Sequence, residues 1–180
     1  MGYLRETTED DADLLFEWTN DASVRENSFS TDEISYDEHI RWFHHMLADD
    51  TIRQYIYMHE GEPAGQIRIT IDGQTAEIGY SICKEKRGMG LGKEMVALLA
   101  VKVEEDYPQV KKLKAKVKPD NMASRSIFLN SGYDWKYCLY EADMNNIVKN
   151  LLGGVNIKAI SFHLIIDYLL PDKFCVMDFG

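Results

Sequence analysis

The sequence has few of the residues that cross-link a chain or hold a metal ion. Its three cysteines, Cys83, Cys138 and Cys175, are far apart and include no C-x-x-C pair. We therefore expect neither a disulfide framework nor a zinc site, and a reducing cytoplasm is the location that fits. The adjacent pair His44 and His45 would point about 100° apart on a helix and could not share a metal ion. We predict that the protein holds no metal.

Long apolar runs and an excess of positive charge are also missing. No run of about 18 apolar residues occurs, so we expect no membrane span. The chain has 30 acidic and 20 basic residues, a net charge of −10, which argues against a nucleic acid as its partner. A length of 180 residues with 45% hydrophobic residues is enough for a substantial core. A soluble globular protein is the class that remains.

The charge is unevenly distributed along the chain. Residues 1–60 contain 15 acidic and 4 basic residues, net −11, whereas residues 83–118 contain 5 acidic and 10 basic residues, net +5. Lysines at alternate positions around Leu113 and Ala115 are typical of a solvated strand face. The same charges would also attract an anionic ligand, and both interpretations stay open.

Periodic patterns predict alternating helices and strands in the first 140 residues. Capping boxes that begin at Thr8 and Ser35 predict two helices with a polar segment between them. Three strands separated by hairpin turns are predicted to form an antiparallel meander over Gln54–His59, Ala64–Ile71 and Thr75–Ile82. A strand over Leu113–Val117 should run parallel to the last of these, because a helix that ends before Pro108 connects them.

The C-terminal part of the chain is less regular in its pattern. Asn121 or Asp120 caps a short predicted helix that Gly132 ends, and a strand is predicted over Tyr133–Tyr140. Beyond it we expect a short helix, a last strand over Ile157–Asp167 and an apolar tail. We predict a single domain over residues 1–180, of which 141–180 form an atypical C-terminal part.

A glycine-rich turn between a predicted strand and a predicted helix is the strongest local signal. The first N–H groups of such a helix have no partner within the helix and point outward with the positive end of its dipole, so the turn can bind phosphate. The turn is not a nucleoside-triphosphate loop, because Arg87 stands at its first glycine and Glu94 follows Lys93. It is not a dinucleotide fingerprint either, because Lys93 occupies the third glycine position.

Two motifs in this region resemble those of the GNAT superfamily of acyl-CoA N-acyltransferases. The turn reads as (Q/R)-x-x-G-x-(G/A) over Arg87–Gly92, and a second motif, N-x-x-S-x-x-x-Φ-x-x-x-G-[FY], runs from Asn121 to Tyr133. The resemblance covers roughly residues 3–140. It implies an α/β (α+β) GNAT fold, with a mixed, mostly antiparallel sheet of six to seven strands. Helices would cover both faces, and a V-shaped split would separate strands 4 and 5.

The resemblance also implies an N-acetyltransferase that uses acetyl-CoA as its co-substrate. The pantetheine arm would lie like an extra strand in the split. A β-bulge, usual in this family, would aim the N–H groups near Tyr80 to Ile82 at the thioester oxygen. The residues implied to bind the coenzyme are Ile82, Cys83, Arg87, Gly88, Met89, Gly90, Gly92, Lys93, Asn121 and Phe128.

Two residues are implied to carry out proton transfer. The A-E-I-G-Y segment resembles ribosomal-protein N-terminal acetyltransferases, in which the equivalent of Glu77 is the proposed base; the alternative is a glutamate that faces solvent. Many GNAT enzymes have a tyrosine acid where this chain has Phe128, which cannot donate a proton. The ribosomal-protein subgroup implies Ser124 as the acid instead, and a CoA-binding role for this serine is equally open.

The N-terminal W-x-N-D-x-x-V-R-x-x-S-F stretch resembles acetyltransferases that act on 4-amino-sugar nucleotides in surface-glycan pathways. This resemblance implies an acceptor site formed by Trp18, Asn20, Arg25, Asn27 and Phe29, together with Tyr80. The alternative is that Trp18 and Phe29 lie in the core and Arg25 in a surface ion pair. The acidic N-terminal third suits a cationic peptide better than a diphosphate.

Three functions therefore remain open after the sequence is read. An amino-sugar-nucleotide acetyltransferase is favoured, and an N-terminal acetyltransferase of a ribosomal or other protein is the alternative. A non-catalytic acyl-CoA-binding module is the third. The expected partner is a small-molecule amine or a peptide N-terminus, and the chain is expected to be a monomer or a homodimer.

Overall fold

The computed structural model describes residues 2–136, and these are the residues discussed below. Up to Trp135 they form one compact unit. The predicted strand and helix beyond Glu141 and the tail lie outside the described residues, so the single domain over 1–180 stays a prediction. Within residues 2–136, no helix has the length and apolar character needed to cross a bilayer.

Five strands form one sheet in the order β1-β2-β3-β4-β5. All neighbours are antiparallel except β4 and β5, which are parallel as predicted. The strands are β1 (Gly2–Glu6), β2 (Ile52–His59), β3 (Glu62–Asp72), β4 (Thr75–Ile82) and β5 (Lys112–Ala115). Of the further strand predicted over Tyr133–Tyr140, residues 133–136 are not in a strand and the rest lies outside the described part.

The helices begin where the capping signals predict. Thr8 opens a short 3-10 turn before α1, and Ser35 caps α3, each with a complete capping box. The carboxylate of Asp11 in the first box also accepts two hydrogen bonds from Arg5, of 2.7 and 2.6 Å. The helices are α1 (Ala12–Thr19), α2 (Ala22–Asn27), α3 (Tyr36–Ala48), α4 (Leu91–Asp106) and α5 (Met122–Asn130).

Two apolar cores cover opposite faces of the sheet, as alternating side chains on β2 show. Tyr55 and Tyr57 pack with α4 in the larger core, while Ile56 and Met58 pack with α1 and α3 in the smaller one. This arrangement confirms a mixed, mostly antiparallel sheet with helices on both faces.

The parallel pair β4–β5 is shorter than β4 itself. Its register runs from Thr75 opposite Lys112 to Ile78 opposite Ala115, so the last four residues of β4 have no partner on this side. The prediction of a bulge in β4 is wrong. The register between β3 and β4 is unbroken from the pair Asp72–Thr75 to the pair Gly65–Ile82. The gap arises because β5 ends early, and β4 needs no extra residue to open it.

Candidate active site

A cleft of about 860 Å³ opens where β4 extends beyond β5. Its walls come from β2, β3, β4, the glycine turn, α2, α3 and α5. The predicted site residues that line it are Arg25, Asn27, Phe29, Glu77, Tyr80, Ile82, Arg87, Gly88, Gly90, Gly92, Asn121, Ser124 and Phe128.

Five predicted site residues do not line the cleft. Trp18 and Cys83 are buried in the smaller core, because α1 turns its apolar face toward the sheet. Asn20 bonds to the backbone of Ile34 in both directions, at 2.8 and 3.0 Å, so it holds the loop after α2. Met89 and Lys93 are exposed side chains outside the lining.

The glycine turn has the backbone that a phosphate loop needs. Gly88 and Gly90 have φ of 79° and 78°, in the left-handed region that side chains rarely adopt. An added Cβ at either position would meet no atom within 4 Å, so the outer side of the turn is open. Gly90 is the N-cap of α4, whose first N–H groups lack partners within the helix. The turn therefore fits the diphosphate of coenzyme A.

Arg87 anchors this turn to the N-terminal part of the chain. Its guanidinium donates to the Ile82 carbonyl at 3.0 Å and to Asp21 Oδ1 at 2.6 Å. Burial by itself raises the pKa of Asp21, but the hydrogen bonds from Arg87 and the backbone outweigh it and hold that pKa below its ordinary value. Arg87 thus positions the loop, a role that its motif does not reveal.

Tyr80 and Ser124 form a hydrogen-bonded pair between β4 and α5. Their hydroxyl oxygens are 2.9 Å apart, and either one can be the donor. Asn121 caps α5 and accepts the Ser124 N–H at 3.0 Å, while the Tyr80 ring meets the edge of Phe128. Burial raises the pKa of Tyr80 against the effect of the Ser124 hydrogen bond. Tyr80, which the sequence predicts as an acceptor-site residue, therefore brings a second protonated hydroxyl next to Ser124, the predicted acid.

Glu77 lies on the other face of β4. Its Oε2 is 2.9 Å from Lys116 Nζ, and its side chain is 46% exposed, so the carboxylate is within reach of a ligand in the cleft. Thr70 and Arg68 of β3 stand opposite Glu77 and Gly79. Side chains alternate along a strand, and Glu77 and Tyr80 accordingly lie on different faces of β4.

The backbone of β4 directs N–H groups into the gap. Cys83 N donates to the Ala64 carbonyl at 3.0 Å, and Lys112 N donates to the Gln74 carbonyl at 3.1 Å. The backbone N–H and C=O groups of odd-numbered residues in β4 therefore bond to β3, and those of even-numbered residues point toward the β5 side. It follows that the N–H groups of Tyr80 and Ile82 point into the space that β5 leaves open.

Several residues that line the cleft belong to none of the sequence motifs. Trp42, Gln54, Gln66, Arg68 and Lys116 come from four different elements or loops, and the fold brings them together. One signal could have found three of them: polar residues occupy positions in β2 and β3 where a strand under a helix would normally be apolar.

Comparisons with known proteins agree with this geometry. Residues 3–134 match the model of the acetyltransferase (GNAT) domain. No curated protein matches the chain in sequence.

Solved acetyltransferases have a similar fold. Aminoglycoside acetyltransferase AAC(6')-Ib in complex with coenzyme A is 23% identical, with a TM-score of 0.66, and the match covers 76% of this chain and 86% of that one. RimL, a ribosomal L7/L12 α-N-protein acetyltransferase in complex with coenzyme A, is 18% identical, with a TM-score of 0.68 and coverages of 78% and 84%. Spermidine N-acetyltransferase from Vibrio cholerae in complex with CoA and spermine is 17% identical, with a TM-score of 0.71 and coverages of 78% and 85%.

Proposed function

The chain belongs to the GNAT acetyltransferase family, and we propose that it transfers the acetyl group of acetyl-CoA to the amine of a 4-amino-sugar nucleotide. The observation that carries the proposal is the cleft at the end of β5. There a phosphate-binding turn, two N–H groups of β4, a carboxylate and a hydroxyl pair all line one space. An enzyme that moves an acyl group from a thioester to an amine needs each of these groups.

The donor would bind along β4. The N–H groups around Gly88 and Gly90 would hold the diphosphate, and the pantetheine would extend β4 on the side that β5 leaves free. The N–H groups of Tyr80 and Ile82 would then face the thioester carbonyl. They would stabilise the negative charge that develops on its oxygen during attack.

Proton transfer would use both faces of β4. Glu77 would take a proton from the acceptor amine as the nitrogen attacks the thioester carbon, and the tetrahedral intermediate would collapse by breaking the C–S bond. The Tyr80–Ser124 pair would return a proton to the departing thiolate and would take one up from solvent to restore itself. The amide and the free thiol of CoA are the products, and the proton on Glu77 is released to solvent.

The charge of the cleft supports an acceptor that carries an anion. Among the described lining residues the only carboxylate is Glu77, whereas five side chains are cationic: Arg25, Arg68, Lys86, Arg87 and Lys116. Lys86, Arg87 and Lys116 are ion-paired with Glu62, Asp21 and Glu77, so within residues 2–136 the cations without a carboxylate partner are Arg25 and Arg68. The many acidic residues of the N-terminal third are absent from this lining. The acidic N-terminal part of the chain therefore gives the cleft no preference for a cationic peptide.

The test is acetyl-CoA turnover, followed by release of free thiol, with matched concentrations of different acceptors. We expect the highest kcat/KM with a UDP-linked 4-amino-sugar. A higher value with a peptide that begins with Ala or Ser would replace the proposal with protein N-terminal acetylation. Binding of acetyl-CoA by calorimetry without turnover of any amine would indicate a non-catalytic module.

A further inference from the structure

Polar side chains occupy the sheet face against which α3 packs, at positions where a plain core would be apolar. Gln54 of β2 is 6% exposed, and it donates from Nε2 to Gln66 Oε1 of β3 at 3.0 Å. Arg68 stands directly opposite Gln54 in the register of the two strands. Buried polar groups cost free energy unless they have partners, so their presence in the lining of a cleft points to a ligand.

Arg68 is the charged group in this cluster, and none of its hydrogen-bond donors has a protein partner within residues 2–136. Its guanidinium lies over the ring of Trp42, 5.0 Å from the centroid. One of its terminal nitrogens would be 3.8 Å from a Cβ at Gly79, so the missing side chain of Gly79 leaves space beside it. Within residues 2–136, no hydrogen-bond acceptor and no carboxylate at ion-pair distance contacts the guanidinium; the Glu77 carboxylate is paired with Lys116.

Partial burial of Arg68 affects its charge but does not seal its nitrogens from solvent. It lowers the pKa of the Arg68 guanidinium from its ordinary value, while the negative charge of Glu77 acts in the opposite direction. The guanidinium nevertheless stays charged at neutral pH, because its pKa starts far above it. An anion that entered the cleft would supply the acceptor oxygens that the folded protein does not.

The register also gives the spacing between this cation and the proposed base. Arg68 is opposite Gly79 and Glu77 is two residues away along β4, so the two are diagonal neighbours, with Cα atoms roughly 7–8 Å apart. An acceptor with its amine at Glu77 and an anion at Arg68 would therefore contact neighbouring strands on the same face of the sheet.

We propose that Arg68, stacked on Trp42 and flanked by Gln54 and Gln66, binds a phosphate or carboxylate group that the acceptor carries across from its reacting amine. This inference rests on the proposed acetyl transfer and defines its substrate class. Planar guanidinium groups bind such oxyanions through two parallel hydrogen bonds, and the neighbouring amides offer further donors. A polyamine or an uncharged peptide N-terminus has no group for this subsite.

The test uses two acceptors that differ only in the anion: 4-amino-4-deoxyglucose 1-phosphate and methyl 4-amino-4-deoxyglucoside. With the unchanged protein we expect kcat/KM to be about 10- to 100-fold higher for the phosphate, mainly through KM, because a charge-assisted contact is gained. Arg68→Gln should reduce this preference to less than about 3-fold. Arg68→Lys should keep part of it, because the charge remains but the fork geometry is lost.

The matched control is Arg41→Gln, which removes an exposed cation next to Trp42 on α3 but outside the cleft lining. It should retain the full preference for the phosphate acceptor. The KM for acetyl-CoA and the midpoint of thermal unfolding should be the same in Arg68→Gln as in the unchanged protein, which separates a lost subsite from a damaged fold.

Equal kcat/KM for the two acceptors, or an equal preference in Arg68→Gln, would overturn the inference. If neither acceptor consumes acetyl-CoA, the proposed acceptor class fails and the subsite is tested by itself. Calorimetric titration with glucose 1-phosphate and with methyl glucoside then decides. Binding of the phosphate that Arg68→Gln abolishes supports the subsite, and identical titrations in the two proteins contradict it.

Discussion

At the scale of single residues, the proposed base and the proposed acid lie on the two faces of one strand. Glu77 shares its face with Arg68 of the neighbouring strand, whereas Tyr80 on the other face contacts Ser124 of α5. A base and an acid on opposite sides of the same backbone suit a reaction in which a nucleophile enters from one side and a thiolate leaves on the other. The split in the sheet lies between them.

Replacing Glu77 tests the base. We expect Glu77→Gln to lower kcat at pH 7 by on the order of 10²-fold with little change in the KM for acetyl-CoA, because the amide has a similar shape and cannot accept the proton. Steady-state kinetics over a range of pH is the measurement. Glu104→Gln, an exposed change on α4, is the control. A pH–rate profile that Glu77→Gln leaves unaltered would remove this residue from the mechanism.

A double-mutant cycle tests whether the hydroxyl groups of Tyr80 and Ser124 act together. Tyr80→Phe and Ser124→Ala should each lower kcat by about 10-fold or more, because the thiolate loses its proton donor or the group that orients it. The double variant should be little worse than the poorer single one, since the two residues act as a unit. Tyr3→Phe, at an exposed tyrosine outside the cleft, serves as control. Fully additive losses would show that the two hydroxyls act separately.

At the scale of elements, charged caps connect the N-terminal helices to the sheet and to the glycine turn. Asp11 joins the first turn before α1 to Arg5 of β1, and Asp21 at the N-cap of α2 joins Arg87 of the turn. Both carboxylates have lowered pKa values, because hydrogen bonds to the charged form outweigh the effect of burial. The Asp21–Arg87 contact places α2, and with it Arg25 and Asn27, at the mouth of the cleft.

Asp11→Asn should lower the free energy of unfolding by about 2–3 kcal/mol at pH 7. The buried carboxylate of Asp11 accepts two hydrogen bonds from Arg5, whereas an amide has only one oxygen to accept them and carries no charge. The folded pKa of Asp11 lies below the unfolded value near 3.8, so the folded state binds this proton less readily. The stabilisation is therefore complete at neutral pH and is lost as the pH falls through 3.8 toward the folded pKa.

Urea denaturation from pH 7 to pH 3 measures this difference. Asp10→Asn, at the exposed neighbouring position, should be close to the unchanged protein at every pH. A deficit in Asp11→Asn that stays constant down to pH 3 would show that the carboxylate charge does not contribute to stability.

At the scale of the whole molecule, one sheet serves as the wall of two cores. Leu99 of α4 is fully buried on one face, and Phe43 of α3 is fully buried on the other. Both cores contact β2 and so depend on the same central strands. We infer that the part of the chain described here unfolds as one cooperative unit.

Leu99→Ala and Phe43→Ala should each lower the free energy of unfolding by about 2–5 kcal/mol, because each leaves a cavity in a packed core. Hydrogen exchange of the β3 amides should accelerate by the same factor as global unfolding in both variants. Val101→Ala, on the exposed side of α4, is the control. If either variant left β3 protection unchanged, the two faces would have to unfold independently.

The sequence alone determined the features that depend on neighbours along the chain. The capping boxes, the left-handed glycines of the turn, the alternation along β4 and the parallel β4–β5 pair follow from local stereochemistry and connection rules, and the structure contains all of them. The motif for the glycine turn also led to the correct family, because a phosphate loop is one continuous stretch of backbone.

Only the tertiary structure decided what the cleft contains. In the folded chain Arg68 lies over Trp42, and Tyr80 contacts Ser124. Trp18 lies in the smaller core and not in the acceptor site. The tertiary structure also made the cleft cationic inside an acidic chain, and it opened the sheet by ending β5 early, without the bulge that the family resemblance implied. These outcomes depend on strand register and helix packing between residues far apart in the chain, and no local pattern encodes those distances.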